Sequence, residues 1–215
     1  MFDFVSDLHF DNGMSGGPLG WLGTIDVCPY KNPGSSTLLV AGDTSETVDD
    51  TIDFLNAAAA HYERVVAVLG NHEKGCSQVQ ARENVHILDL CGHEYRSGAI
   101  AYLGGCMENE REVEQVAARL DAVQKDSAVG RIIVLSHFVP TPRLCNVLGR
   151  EFPEKCNRFL DLVSPPVKAT AIVFGHVHLP YAGDLDGFQL FSEPRGYRGK
   201  RRDGSAWGRR FGAFP

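Results

Sequence analysis

Aspartate, asparagine and histidine recur in this sequence directly after short apolar runs. The runs end in "SDLH", "AGD", "LGNHE", "LSH" and "FGHVH". Imidazole nitrogen suits transition metals such as Zn, Fe and Ni, whereas carboxylate and amide oxygen suit Mg and Mn. The chemistry that this pattern predicts is metal binding. The candidate ligands are Asp7, His9, Asp43, Asn71, His137, His176 and His178.

The number of candidates indicates two ions. A catalytic zinc typically takes three protein ligands and keeps one position open, so two ions that share a bridging carboxylate fit seven groups better. Asp7 and His9, like His176 and His178, are two residues apart, and in an extended segment both members of such a pair point to the same side. A single histidine after a strand is more often a hydrogen-bonded structural residue, but five such clusters favour a site.

These groups must be positioned by strands. Short β-rich runs predict strands at 2–6, 37–41, 64–69, 85–88, 99–103, 131–136, 171–174 and 188–191. Several runs are continuously apolar, which is typical of strands buried on both faces. Helical spacing predicts helices within 46–62 and 108–125, with Thr44 or Ser45 as the N-cap of the first. Open α/β sheets build sites beyond the carboxyl ends of their strands, where all five clusters fall.

Composition predicts one domain. A chain of 215 residues with 43% apolar residues can bury a sizeable core. The initial "MFDFVSD" lacks the basic start and long apolar stretch of a signal peptide, and no apolar run approaches the ~20 residues that span a bilayer. We therefore expect a cytoplasmic protein that does not associate with membranes. The six cysteines lack the close spacings of zinc sites or disulfide scaffolds and are expected to be reduced core thiols.

Charge is unevenly distributed along the chain. The formal net charge of -6 argues against a generally nucleic-acid-binding surface, but residues 195–210 contain seven basic residues and one acid. This Gly/Arg-rich tail, with Trp207, Phe211 and Phe214, could contact nucleic acid because arginine pairs with phosphate and aromatic rings stack on bases. A terminal charge run is more often a solvated tail. The Gly-, Pro- and Ser-rich segment 11–36 is interpreted as a lid or rim.

The motif order "DLH", "GD", "GNHE", "SH", "GHVH" resembles the calcineurin-like metallophosphoesterase superfamily. The stretches "NVHIL" (84–88), "HFVPTPR" (137–143) and "PRGY" (194–197) are similar to those of small, single-domain bacterial and phage members. The resemblance implies an α/β fold of four layers, α/β/β/α, with a central β-sandwich of two mixed sheets flanked by helices and a dinuclear site at one end. It assigns this domain to residues 1–197 and leaves 198–215 as a basic tail.

The resemblance also implies a role for each metal ligand. One ion is bound by Asp7, His9, Asp43 and His178, and a second ion, bridged by Asp43, is bound by Asn71, His137 and His176. Both ions are expected to be divalent, with Mn as the first choice and Fe, Zn, Ni and Mg as alternatives.

Further roles concern catalysis and substrate. The resemblance implies that His72 is the general acid, acting with Asp43 and the metals, and that Glu46 falls where related phosphatases place the acid partner of this histidine. Glu73 is expected to orient its turn by hydrogen bonding. Candidate phosphate contacts are Asn71, Arg143 and Arg195, the arginines because their planar guanidinium groups suit phosphate.

The sequence also departs from related proteins. "GDTSETVDD" lacks the Asp-Arg-Gly of the phosphoprotein phosphatase branch, which disfavours a protein phosphatase. Phe138 stands where related small members often carry a second histidine, and Glu193 where they often have asparagine. Both departures fall on positions expected to contact substrate.

Three functions remain open from the sequence. The first is a metal-dependent phosphatase or phosphodiesterase that acts on a phosphorylated small molecule or nucleotide through a hydroxide bridging two ions. The second is a nuclease of the same superfamily acting on DNA or RNA, for which the basic tail is the support. The third is a non-catalytic binding scaffold, which the retention of all seven ligands disfavours. The sequence does not indicate an oligomeric state.

Overall fold

A computed structural model of the chain describes residues 1–10, 27–75, 78–148, 153–196 and 210–215, and the strands of these residues form two mixed sheets. The first sheet, in the order β11-β1-β2-β3-β4, contains β1 (Phe2–Val5), β2 (Thr37–Ala41), β3 (Arg64–Val68), β4 (Val85–Ile87) and β11 (Gly212–Phe214). The second, in the order β5-β6-β7-β8-β10-β9, contains β5 (Glu94–Ser97), β6 (Ile100–Gly105), β7 (Arg131–Ser136), β8 (Ala169–Phe174), β9 (Tyr181–Leu185) and β10 (Phe188–Ser192).

The central strands of both sheets are parallel, and antiparallel strands lie at the edges. β1 to β4 pair in parallel and β11 joins β1 antiparallel. In the second sheet β6, β7, β8 and β10 are parallel, and β5 and β9 close the two edges as antiparallel partners. The carboxyl ends of the parallel strands therefore lie together at one end of the molecule.

Three apolar layers explain why the strands are continuously apolar. Along β2, Leu38 and Val40 pack with α1 (Val48–Ala58), while Leu39 and Ala41 pack between the two sheets. Helix α2 (Glu110–Lys125) covers the outer face of the second sheet. Because β1, β2, β3, β6, β7 and β8 have a layer on both faces, nearly every position along these strands is buried. The result is the expected four-layer α/β/β/α sandwich.

The remaining described elements are two short α-helices, α3 (Arg143–Val147) and α4 (Phe159–Leu162), and three 3-10 helices at Cys28–Tyr30, Leu88–Leu90 and Pro153–Lys155. The eight strands expected from the sequence are all present, whereas β5, β9 and β11 were not expected. Within the described residues, no helix has the length and apolar character needed to cross a bilayer.

The N-cap prediction for α1 is wrong. The cap is Thr47, whose side chain accepts a hydrogen bond from the Asp50 amide. Ser45 instead accepts from the amide of Thr47, and the amide of Thr44 donates to Glu73. Both expected caps are therefore used to shape the loop that precedes the helix.

The thiol prediction is partly wrong. The described cysteines are free, as expected, but Cys28 and Cys91 are exposed and only Cys145 is fully buried, while Cys106 and Cys156 are intermediate. Cys76 lies outside the described residues, as do residues 11–26 of the expected lid.

The described end of the expected tail belongs to the fold. β11 pairs with β1 so that Phe214 lies opposite Phe2, and Phe211 and Phe214 are both buried. Trp207 and the rest of 197–209 lie outside the described residues. Residues 210–215 therefore form part of the edge of the first sheet, and this structural role does not depend on the function of the basic residues before them.

Candidate metal centre

The seven expected ligands converge at the carboxyl ends of five parallel strands. Asp7 and His9 follow β1, Asp43 follows β2, Asn71 follows β3, His137 follows β7, and His176 and His178 follow β8. The two sheets contribute to the same site because their carboxyl ends point to the same end of the sandwich. Residues far apart in sequence meet in this way, such as His9 and His178, which are 169 residues apart.

One group of ligands, the first cluster, consists of Asp7, His9 and His178. The Nε2 atoms of His9 and His178 lie 3.2 Å apart, and Asp7 Oδ1 lies 3.3 Å from Nε2 of His178. Asp7 and His9 are fully buried. Three ligand atoms thus face one small volume at the end of β1.

A second group, the second cluster, consists of Asp43, His137 and His176, with Asn71 beside them. His137 Nε2 lies 3.2 Å from Asp43 Oδ2, 3.2 Å from His176 Nδ1 and 3.0 Å from Asn71 Oδ1. The other ring nitrogen of His137 lies 3.0 Å from the Ala41 carbonyl oxygen. In the neutral ring, a hydrogen bond from that Nδ1 leaves Nε2 as the acceptor, which is the tautomer that binds a metal.

Asp43 connects the two clusters through one oxygen. Its Oδ2 lies 3.6 Å from His9 Nε2 in the first cluster and 3.2 Å from His137 Nε2 in the second. Its other oxygen accepts the His72 amide at 3.0 Å, which fixes the orientation of the carboxylate.

The donor set fits divalent metal ions. Ligand atoms bound to one tetrahedral ion at about 2.0 to 2.1 Å are separated by roughly 3.3 Å, and the contacts within each cluster match this spacing. The mixture of imidazole nitrogen, carboxylate and amide oxygen suits transition metals and Mn. The clusters therefore have the composition and spacing to hold an ion each.

Electrostatics at the centre favour ionised carboxylates beside histidines. Burial alone would raise the pKa of Asp43, but the hydrogen bond and charge of His137 hold it well below its usual range. Burial would lower the pKa of His137, but Asp43 raises it to about 9. The pKa of His9 falls to about 4 because burial outweighs the pull of Asp43. Burial and the His137 charge likewise lower the pKa of His176 to about 4, so these two rings are neutral, as ligation requires.

The backbone of the ligands is unusual. Eight described non-glycine residues have positive φ, and five of these are expected ligands: Asp7, His9, Asp43, His176 and His178. Left-handed backbone is uncommon outside glycine and is concentrated at functional sites. Extended backbone was expected at the pair Asp7 and His9 and at the pair His176 and His178. This prediction is wrong, because all four residues have positive φ. Asp7 and His9 nevertheless face the same cluster, as expected, whereas His176 and His178 face different clusters.

Glycines make room for the ligands. A Cβ on Gly70 would lie 2.1 Å from Asp43 Oδ1, and one on Gly175 would lie 2.7 Å from Asp7 Oδ2. Real Cβ contacts are not that short, so a side chain at either position would displace a carboxylate of the centre. This close approach explains why glycine precedes Asn71 and His176 in "LGNHE" and "FGHVH".

Glu73 holds two of the strand ends together. Its buried carboxylate accepts amide hydrogen bonds from Thr44 and Gly70, both at 2.7 Å, from Asp43 at 3.2 Å, and a hydroxyl hydrogen bond from Thr51 at 3.2 Å. Burial raises the pKa of Glu73, as does the charge of Asp43, and the amide donors oppose the shift. The loops after β2 and β3 are thus fixed to one carboxylate. The structure places Glu73 where the sequence expected an orienting residue.

His72 lies at the edge of the centre, 29% exposed. Its Nδ1 lies 2.9 Å from Glu46 Oε1, and its Nε2 lies 3.9 Å from Asp43 Oδ2. The ring packs edge-on against His9 at 4.8 Å between centroids. The structure thus brings together Glu46 and His72, which are separated by 26 residues in sequence. One nitrogen of His72 faces the metal ligands and the other faces a carboxylate.

The two arginines expected to contact phosphate are otherwise engaged. The guanidinium of Arg195 is 1% exposed, lies over the rings of Phe211 and Tyr30, and donates to the Arg210 carbonyl oxygen at 2.9 Å. Arg143 donates to Asp186 at 2.6 Å on the surface. These contacts do not favour a phosphate contact by either side chain. Asn71, in contrast, lies within the second cluster.

Sequence reasoning missed Ser6 and Asp89, and it identified Phe138 only as a departure at an expected substrate position. Ser6 donates to Asp7 Oδ2 at 2.6 Å, and Phe138 stacks on His176 at 4.2 Å between centroids. Asp89 accepts the amides of Leu69 and Cys106, both at 2.8 Å, and so ties the two sheets together beside the site. Asp89 follows a predicted strand, which is the same signal that identified the metal ligands.

Comparison with known proteins identifies the family. The model of the calcineurin-like phosphoesterases matches residues 1–180, which include every expected metal ligand. The chain belongs to the calcineurin-like phosphoesterase family. It is a hydrolase of the kind that acts on phosphoesters. Both clusters of candidate ligands in this calcineurin-like phosphoesterase lie within the residues that match the family.

The fold of this calcineurin-like phosphoesterase is also found among solved structures. The crystal structure of phosphopantetheinyl hydrolase (PptH) from Mycobacterium tuberculosis is similar, with a TM-score of 0.58 and 18% identity over 94% of this chain and 93% of that chain. At this identity the likeness supports the fold alone. A search of curated proteins found no match to the chain.

Proposed function

We propose that this protein hydrolyses phosphoesters with two divalent ions, one in each cluster, bridged by Asp43. The observation that carries the proposal is the position of Asp43 Oδ2, within 3.6 Å of a histidine nitrogen of the first cluster and 3.2 Å of one of the second. A carboxylate oxygen at that place suits a bridging ligand. When bound, two such ions supply positive charge for the phosphoryl group and acidify a water molecule.

The protein's own groups prepare the site for these ions. Asp7, His9 and His178 would hold the first ion, and Asn71, His137 and His176 the second, with Asp43 shared. Ser6, Glu73 and the Ala41 carbonyl keep ligands in place through hydrogen bonds to Asp7, to the Asp43 amide and to His137. Such outer contacts keep ligands oriented and basic. Mn is our first choice of metal, with Fe, Zn, Ni and Mg as alternatives.

His72 is assigned the role of general acid. Its ring is partly exposed, it faces Asp43 through Nε2, and Glu46 lies 2.9 Å from Nδ1. A carboxylate at that distance fixes the orientation of the ring. The proton would leave from Nε2 to the departing ester oxygen. Asn71 is the remaining candidate for a contact with the phosphoryl group.

We infer that the substrate is a phosphorylated small molecule or nucleotide. The solved structure that resembles this fold is called a phosphopantetheinyl hydrolase. From that name we propose for the present chain only a class of substrate, a small phosphoester. Nuclease activity is the alternative, and its support is the run of basic residues after residue 194.

A substrate screen tests the proposal. The full chain, loaded with Mn, is assayed against phosphomonoesters, cyclic nucleotides, dinucleotides and single-stranded DNA. We expect turnover of a small phosphoester that chelator abolishes and Mn restores, and that Asp43→Asn removes while Asp121→Asn on α2 does not. Full activity in metal-stripped protein or in Asp43→Asn would contradict the two-ion proposal. Turnover of single-stranded DNA alone would favour the nuclease.

A further inference from the structure

The sulfur atoms of two cysteines lie side by side on the outer face of the second sheet. Cys145 belongs to α3, and Cys156 follows the 3-10 helix Pro153–Lys155. Their Sγ atoms are 3.5 Å apart, so one thiol donates a hydrogen bond to the other. Cys145 is part of the core that α2 covers, and Cys156 packs against that core. Two thiols from separate segments are therefore in direct contact.

This contact is close enough for a disulfide to form. The two sulfur atoms of a disulfide are about 2.05 Å apart, so these Sγ atoms need to approach by about 1.5 Å. Rotation about the Cα–Cβ bonds of the two side chains can supply such a movement. The link would close a short loop, since the two cysteines are 11 positions apart in sequence.

The contact is not explained by a metal site in the described part of the chain. Structural zinc sites take four ligands, mostly cysteine and histidine. Neither Cys145 nor Cys156 belongs to a group of three or more possible metal ligands among the described residues. Packing remains as an explanation, because a thiol behaves as a small apolar side chain. Oxidation is the chemistry that distinguishes a reactive pair from such packing.

The surroundings of the pair suit a stable disulfide rather than an exchange catalyst. Burial and the hydrogen bond with Cys145 raise the pKa of Cys156 to about 12. Catalytic redox pairs have the opposite property, a thiol with a lowered pKa that stabilises the reduced form. Here the thiolate is disfavoured, so the reduced pair gains no such stabilisation. We therefore expect the disulfide to resist reduction once it has formed.

The segment that contains Cys156 runs beside the chain that follows the metal ligand His137. Val139 forms a β-bridge with Cys156. The Val139 amide donates to the Lys155 carbonyl oxygen at 3.1 Å, and the Asn157 amide donates to the Val139 carbonyl oxygen at 2.8 Å. A covalent link from Cys156 to α3 would add to these hydrogen bonds and fasten α3 to the same segment.

Cys156 is the member of the pair that a small oxidant can reach. It is partly exposed and lines a cavity of about 350 Å³ together with the exposed Glu108 and Arg158, whereas Cys145 is buried. The first attack on an oxidant therefore belongs to Cys156.

We propose that Cys145 and Cys156 are a modification site, at which a small-molecule disulfide induces an intramolecular disulfide that braces the segment beside His137. The Cys156 thiolate attacks one sulfur of the oxidant, the S–S bond of the oxidant breaks, and the released thiolate takes up the proton. Cys145 then attacks the Cys156 sulfur and gives its proton to the second leaving thiolate. The two cysteine sulfurs lose two electrons in total, and the oxidant becomes two thiols. The site is independent of the proposed hydrolysis.

Peptide mapping of the full chain detects the link. The protein is equilibrated with hydroxyethyl disulfide at mildly alkaline pH, because the thiolate is the attacking form. The remaining thiols are then alkylated in denaturant, and the chain is digested with trypsin without reductant. We expect the tryptic peptides 144–150 and 156–158 to be joined, and reductant to separate them.

Stability and hydrogen exchange test the brace. The link should raise the apparent midpoint of thermal unfolding by about 5 °C. It should also slow hydrogen exchange at the amides of Val139 and Asn157, because exchange there requires local opening of the braced segment. Chelator is present throughout, so that binding of metal does not contribute to either change.

Variants distinguish this disulfide from oxidation elsewhere. Cys145→Ala and Cys156→Ala should each abolish the linked peptides and the oxidant-dependent rise of the midpoint. Cys91→Ala, which removes an exposed thiol, should preserve both. If the buried Cys145→Ala variant fails to fold, the partly exposed Cys156→Ala and the mapping of the unmodified protein still decide the question.

Three results would overturn the proposal. Separate alkylated peptides after equilibration with excess oxidant would leave packing as the role of the pair. An equal rise of the midpoint in Cys156→Ala and in the unmodified protein would show that the oxidant acts elsewhere. Linked peptides with an unchanged midpoint and unchanged hydrogen exchange would show that the disulfide does not brace the segment.

Discussion

The carboxylate of Glu73 accepts a hydrogen bond from the backbone amide of Asp43 at 3.2 Å. The same carboxylate also accepts the amides of Thr44 and Gly70. Two strand ends are therefore held at fixed separation by one buried side chain, and the position of the Asp43 carboxylate between the two clusters depends on it.

Glu73→Gln should loosen this arrangement. The amide side chain has one acceptor oxygen for three amide donors, and its NH₂ group faces donors, so buried groups lose partners at about 1 to 3 kcal/mol each. We expect lower stability in urea and a metal affinity reduced about 10- to 100-fold, the range seen for outer-shell partners. Glu114→Gln on the exposed face of α2 is the control. An unchanged metal affinity would show that Glu73 does not position the centre.

Gly70→Ala should disrupt the centre sterically. The added Cβ would lie 2.1 Å from Asp43 Oδ1 and 2.4 Å from the Asp43 amide nitrogen. Backbone must move to relieve such overlap, at a cost of about 1 to 3 kcal/mol. Metal titration and unfolding should both detect the change. Gly130→Ala, where the nearest atom to the added Cβ is 3.8 Å away, should leave metal binding and stability unchanged. Equal behaviour of the two variants would contradict the close packing described here.

His72→Ala tests the general acid. Protonation by a side chain contributes on the order of 10² to 10⁴ in rate and matters most for poor leaving groups. Hydrolysis of alkyl esters should therefore slow far more than that of p-nitrophenyl esters, with metal content unchanged because Asn71 is the expected ligand. Glu46→Gln should give a weaker effect in the same direction. Equal slowing of both ester types together with loss of metal would make His72 a ligand or a structural residue.

Phe214→Ala tests whether the chain end is structural. The ring stacks on Phe191 at 4.6 Å and on Phe2 at 5.2 Å between centroids, and it is buried. Removing a buried phenyl ring costs about 3 to 5 kcal/mol, so the unfolding midpoint in urea should fall clearly. Ala213→Ser, on the exposed side of the same strand, should change it little. A loss below about 1 kcal/mol would show that β11 is dispensable.

Much of the fold could be predicted because burial on both faces makes the inner strands continuously apolar. The edge strands carry no such signal. β5, with "EYRS", is mostly polar because only one side of it packs on the core. β9 was missed although Asp186 and Gly187, both with positive φ, form the kind of turn that joins hairpin strands. β11 is three residues long and follows a basic segment.

The ligands could be predicted because they follow strands, but their geometry could not. Which of His176 and His178 faces which cluster depends on left-handed backbone at both residues, and sequence spacing does not report φ. The burial of Arg195 depends on Phe211 and Tyr30, which are remote in sequence. The N-cap of α1 is Thr47 because the Thr44 amide donates to Glu73 and Ser45 accepts the Thr47 amide in the loop before the helix.

The metal content of four purified proteins tests the central claim, that Asp43 joins two ion sites. The proteins are the unmodified chain, Asp43→Asn, His178→Ala and His176→Ala, each loaded with Mn and freed of excess ion. We predict two ions per unmodified chain with the magnetic coupling of a bridged pair, one ion in each histidine variant, and loss of the coupling in Asp43→Asn. A single ion per unmodified chain, or a coupled pair that survives in Asp43→Asn, would contradict it.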